Sequence, residues 1–143
     1  MLPELFYNKL FLALFVSMTL TQFIKIFLLI TKDKQPFYFK DLFVTGGMPS
    51  AHSALVTSLA VSIYISEGLS TLFFMSVAFA LIVIRDALGV RRTAGEEGKV
   101  LNEVIKRSKL KIPKVHYSLG HKPEEVLVGM FIGILVSVVV FSL

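Results

Sequence analysis

Four stretches of this 143-residue chain, residues 5–31, 50–67, 69–89 and 123–142, are long apolar runs that a small water-soluble core has no room to bury. Each residue advances a helix by about 1.5 Å, so about 20 mainly apolar residues cross the hydrocarbon of a bilayer. The 50–67 stretch is the shortest and is rich in small residues. At 55% hydrophobic the chain exceeds the about 45–50% usual for soluble domains. The expected fold is all-α: one polytopic membrane domain over residues 1–143, a compact bundle of about four transmembrane helices plus a short interfacial helix. No small-x-small cleavage site follows the first run, which therefore reads as a membrane helix and not as a signal peptide.

Two polar stretches, residues 32–49 and 90–122, separate the runs, whereas Glu67-Gly68-Leu69-Ser70 makes a tight turn between the second and third. Four helices connected in this way place both long loops on one side. Of the 15 Lys and Arg residues, all but Lys9 lie on that side or at the helix ends leading to it. Basic loops stay in the cytoplasm, so both loops are expected there and both termini on the opposite face, in a bacterial plasma membrane. That accounts for the +5 net charge without nucleic acid; an anionic ligand is compatible with it. Val100, Leu101, Val104 and Ile105 fall on one face of a short helix suited to the interface, with Glu96 and Glu97 near its start. With no cysteine, disulfides, thiolate metal sites and a cysteine nucleophile are excluded.

The histidines His52, His116 and His121 all lie at helix entrances on the basic side, together with Arg85, Asp86, Arg91, Arg92, Glu124 and Glu125. Unpaired N–H groups at helix N-termini, joined by cations, suit a phosphate. Gly46 and Gly47 would let backbone approach such an anion; Pro49 would start the helix, and Ser50 would cap it or bind phosphate oxygen. His121 and Glu125 share a helical face, so the carboxylate could bond one ring nitrogen and leave the other as a nucleophile. His52 could then protonate a leaving oxygen. Bland readings compete: Pro123-Glu124-Glu125 is a good helix start on its own, an interfacial histidine is often a polar anchor, and Lys25 could snorkel to the surface as easily as bind phosphate. Asp86 is expected to pair with an arginine, and His116 to be a rim residue.

The segments Pro49-Ser50-Ala51-His52 and His121-Lys122-Pro123-Glu124-Glu125 resemble the second and third signature motifs of the type-2 phosphatidic acid phosphatase superfamily, which includes the vanadium haloperoxidases. The resemblance is closest to a divergent bacterial and plant branch, through GGMPSAHSA, DALGVRRTAGEEGKVLNE and LGHKPEEVLVG in that order. It implies that His121 is the nucleophile that forms a phosphohistidine, that Glu125 orients it in place of the usual aspartate, and that His52 is the general acid. It implies phosphate binding by Lys25, Gly47, Ser50, the Ala51 backbone, Arg91 and Arg92, supported by Arg85, Asp86 and Gly120. Three positions depart from the pattern: Val115 stands where the third motif has arginine, Ala51 where most members have glycine, and no Arg-Pro pair follows Lys25.

These readings imply a membrane phosphatase that cleaves a lipid phosphate or diphosphate at the cytoplasmic face, with no metal and no cofactor. The alternative is a non-catalytic lipid-phosphate-binding or assembly protein that keeps the anion site, and the missing arginine favours it. The expected partners are the lipid phosphate and the bilayer, with no nucleic acid. Four helices make a small site, so a homodimer is expected; Gly129 and Gly133 could serve it, or could pack helices within one chain.

Overall fold

A computed structural model describes residues 7–32, 47–115, 117 and 120–143. Gly46 and His116, singled out above, lie outside them. Among the described residues there are five helices: α1 (Lys9–Lys32), α2 (Ala51–Glu67), α3 (Thr71–Leu88), α4 (Val90–Arg107) and α5 (Pro123–Ser142).

The polarity of the bundle is inverted relative to a soluble protein. Phe15, Met18, Phe23 and Phe27 of α1 are exposed, as are Leu72, Phe74 and Phe79 of α3 and Phe131 of α5. The buried residues include Ser17, Thr21, Lys25, Ser53, Ser58, Ser62 and Ser137. On α1 the inner face recurs every fourth residue as Ala13, Ser17, Thr21 and Lys25, all buried. Its hydroxyls are satisfied by their own helix: Ser17 donates to the Leu14 carbonyl at 2.9 Å and Thr21 to the Ser17 carbonyl at 2.8 Å. Such back-bonding lets threonine and serine sit in an apolar span. Among the described residues, three stretches, Lys9–Thr31, Thr71–Arg107 and Pro123–Ser142, are long and apolar enough to cross a membrane. At 17 residues, or about 25 Å, α2 stands at the short limit of a span.

The contact between α2 and α5 explains how this shorter helix belongs to the bundle. A Cβ at Gly129 would collide with the Ser50 carbonyl, and one at Gly133 with the Ala54 carbonyl. Further along, the Ser137 hydroxyl lies 2.8 Å from that of Ser58 and 3.3 Å from that of Ser62. Both sets of contacts advance together along the chain, so α2 and α5 run parallel and in register. The small-residue pair Gly129/Gly133 is therefore used inside the chain. Helix α1 runs antiparallel to them, since Lys9 Nζ donates to the Phe141 carbonyl at 3.4 Å. The start of α1 and the end of α5 therefore lie together.

Two local expectations change. Pro49 does not occupy the first helical turn; it precedes the N-cap Ser50, whose Oγ accepts from Ser53 N at 3.4 Å and from Ser53 Oγ at 2.9 Å. The interfacial helix is not confined to the middle of the 90–122 loop. It begins at Val90, directly after Gly89, because the hydrogen-bond ladder continues through the break: Gly89 N bonds Arg85 O at 2.9 Å and Thr93 N bonds Gly89 O at 3.0 Å. Glu96 and Glu97 thus lie within α4, not at its start.

If the α2–α5 approach holds the bundle together, Gly133→Ala should lower stability by about 1–3 kcal/mol, as overpacking does. Thermal unfolding in detergent checks this, with Ile134→Ala on the exposed flank of α5 expected to stay near wild type.

Candidate active site

The parallel packing of α2 and α5 brings two helix N-termini side by side, and a backbone bond locks them: Ser50 N donates to the Glu125 carbonyl at 3.0 Å. The C-terminal end of α3 closes the third side, where His121 N donates to the Ala87 carbonyl at 3.1 Å. The motif around residue 50 and that around residue 121, far apart in sequence, thus meet at one end of the bundle.

His121 is buried. Its Nδ1 lies 2.9 Å from Glu125 Oε2, and the same oxygen accepts from Lys122 N at 3.2 Å. A carboxylate held by a backbone N–H and facing Nδ1 favours the tautomer with hydrogen on Nδ1, which leaves the Nε2 lone pair available. Both side chains are largely withdrawn from solvent, so their bond is stronger than an exposed pair would be.

His52, in the first turn of α2, is exposed and lies within charge–charge reach of His121, Arg91, Lys25 and Asp86. Lys25 is buried and lies within similar reach of Glu125. Its side chain therefore turns into the bundle, not outward to the surface. Gly47 has φ +78, a conformation that favours glycine, and among the described residues no atom lies within 4 Å of where its Cβ would be. Ala51, half-buried, is the first residue of α2, so its backbone is at the helix mouth.

The basic residues following α3 are only partly where a phosphate clamp requires them. Asp86 pairs with Arg91, as expected of that aspartate. The guanidinium of Arg92 bonds Glu96 at 3.1 Å along α4. Arg85 is exposed in the last turn of α3, where a cation complements the helix C-terminus. Gly120 is a packing residue: a Cβ there would strike the Arg92 backbone.

Sequence reasoning missed Asn102. Its amide bridges the backbone of Val115, donating to the carbonyl and accepting from the N–H, both at 2.8 Å. On the same side of α4, Gly98 lies against Tyr117 so closely that a Cβ would overlap the Cβ of the tyrosine. After α4 the chain turns back through Lys109, at φ 55. Val115, Tyr117 and Gly120 are therefore held along α4 by Asn102, Gly98 and Arg92 in turn. The signal was present as Gly95, Gly98 and Asn102 at i, i+3 and i+7, a small-residue groove on one face.

In comparison with known sequences, residues 6–136 match the Divergent PAP2 family, a span that includes both motifs. The chain belongs to that family. A relative from Bacillus subtilis (strain 168), the uncharacterized membrane protein YuiD, is 41% identical over 66% of this chain and 70% of its own length. No solved structure matches. In this Divergent PAP2 protein, Val115 has a structural role through its backbone, which is the partner of Asn102.

Asn102→Ala should speed amide hydrogen exchange at Val115 by about three- to tenfold, the equivalent of one modest hydrogen bond. Asn102→Asp keeps the acceptor but loses the donor, so its exchange should stay closer to wild type. Equal exchange in all three proteins would contradict the clamp.

Proposed function

We propose that this Divergent PAP2 protein is a membrane phosphatase that hydrolyses a lipid phosphate or diphosphate at the cytoplasmic face. The observation that carries the reading is the His121 Nδ1–Glu125 bond of 2.9 Å, which leaves Nε2 as a nucleophile at the mouth of two helices.

In the first half-reaction Nε2 attacks phosphorus, the P–N bond forms and the P–O bond to the lipid breaks. His52 gives its proton to the departing oxygen. In the second, His52 takes a proton from water, the water oxygen bonds to phosphorus, and the P–N bond breaks to return His121 and release phosphate. Glu125 balances the positive charge that His121 gains on attack. Lys25, the N–H groups at the start of α2, and Arg91 released from Asp86 stabilise the phosphoryl oxygens. The backbone at Gly47 leaves room for the headgroup. Ser50 contributes through the cap that orients α2. The positive-inside distribution of Lys and Arg supports a cytoplasmic location, and the apolar flanks of α1 and α3 suit the acyl chains of a lipid substrate.

A second reading, a protein that binds lipid phosphate without turning it over, draws on the engagement of Arg91 by Asp86 and of Arg92 by Glu96. Phosphate release from a panel of lipid phosphates by the purified protein, with and without EDTA, separates the two. Hydrolysis should resist EDTA and disappear in His121→Ala. His52→Ala should slow release by about 10²–10⁴-fold, the range of a lost general acid. Binding with no release from any lipid by folded wild-type protein would favour the second reading.

A further inference from the structure

The two faces of α4 have different fates. Gly98 and Asn102 lie against the returning segment and Gly95 is buried on their side, whereas Val90, Val100, Leu101 and Val104 are each half or more exposed. Val100, Leu101 and Val104 follow helical spacing, so they form one stripe and not a scatter of single residues. Past the helix, Leu110 and Ile112 are also more than half exposed. Exposed apolar residues on α1, α3 and α5 belong to the spans and face acyl chains. Those of α4 lie beyond Arg85 and Gly89, past the end of the apolar part of α3, at the level of the candidate active site.

Charge identifies what covers the stripe. Residues 99–114 contain six basic side chains (Lys99, Lys106, Arg107, Lys109, Lys111 and Lys114) and one acidic side chain, Glu103. Arg107 lies 3.8 Å from Glu103, with both well exposed. Such an exposed pair holds weakly and leaves the positive field largely intact. The acids Glu96 and Glu97 sit nearer the N-terminus of α4, where Arg92 engages the first. An amphipathic helix with an apolar stripe, flanked by lysine and arginine and emerging from a membrane span, matches a leaflet rich in anionic phospholipid.

We propose that α4 and residues 108–114 form a docking surface for the anionic headgroups and upper acyl region of the leaflet in which the bundle sits. The stripe of Val100, Leu101 and Val104 enters the headgroup–acyl boundary while the lysines stay among the phosphates. The proposal concerns the surface of α4 and does not rest on turnover at His121.

The absence of cysteine from the chain makes the test direct. Full-length protein carrying Leu101→Cys, or separately Glu103→Cys on the polar face, is labelled with an environment-sensitive fluorophore. Each is reconstituted into phosphatidylcholine vesicles with and without phosphatidylglycerol, with helicity checked by circular dichroism. With phosphatidylglycerol present, the Leu101→Cys label should be quenched by nitroxide-bearing lipid and shielded from aqueous iodide several-fold more than the Glu103→Cys label. The difference should shrink in phosphatidylcholine alone, at high salt, and when Lys106, Lys109 and Lys111 are replaced by glutamine. Equal iodide access at both positions in both lipids would overturn the proposal. So would shielding that is indifferent to phosphatidylglycerol and to the lysines, or shielding lost on dilution to one copy per vesicle, which would assign the stripe to a second copy of the chain.

Discussion

The close approach of α2 and α5 is the constraint on which the rest of the structure depends. Glycine at positions 129 and 133 lets one helix rest against the backbone of the other, and serines along the seam exchange hydrogen bonds where larger side chains would hold the helices apart. Parallel packing in register has one chemical consequence: both N-termini open at the same level. Backbone N–H groups from two helices and the positive ends of two dipoles then converge on one region. The Ser50 N to Glu125 carbonyl bond fixes the relative height of the two motifs. A slip of one turn along this seam, about 5.4 Å, would carry His52 away from His121.

Burying charge inside a membrane bundle is expensive unless the charges face one another. Lys25, His121 and Glu125 meet that condition, because each lies near an opposite or titratable partner and Glu125 is also held by a backbone N–H. The inner stripe of α1 follows the same pattern, with small hydroxyls bonded to their own helix leading up to its one lysine, Lys25. The polar interior thus does two things. It packs four helices that have little hydrophobic reason to associate within lipid, and it delivers a lysine to the end where the histidines are.

The apolar runs made the number and type of helices legible, since few alternatives exist for such stretches. The pairing of His121 with Glu125 was legible for a similar reason: a separation of four residues on a helix leaves little freedom. The extent of α4 was not. Gly89 and the following Arg91-Arg92 read as a loop by composition, yet the backbone ladder continues across them. Asn102 also escaped, because its role exists only once Val115 has returned to lie beside it. The destinations of Arg91 and Arg92 were ambiguous in sequence for a physical reason: an arginine near both acids and a candidate anion site can serve either, and here Asp86 and Glu96 hold them. Membership of the Divergent PAP2 family follows from the match over residues 6–136, whereas the chemistry depends on where the ring nitrogens of His121 point.

The central claim, that Glu125 holds His121 so that Nε2 can accept a phosphoryl group, is tested most directly by trapping the covalent intermediate. Protein with His52 intact, so that the first half-reaction keeps its acid, would be mixed rapidly with radiolabelled lipid phosphate and stopped within the first turnover. The stop would be alkali, where phosphohistidine survives, followed by digestion for mass spectrometry. The account predicts label on the peptide containing His121, stable to base and lost in acid, and absent when Glu125→Ala is added. Phosphate released without any labelled peptide, or label on a different side chain, would contradict it.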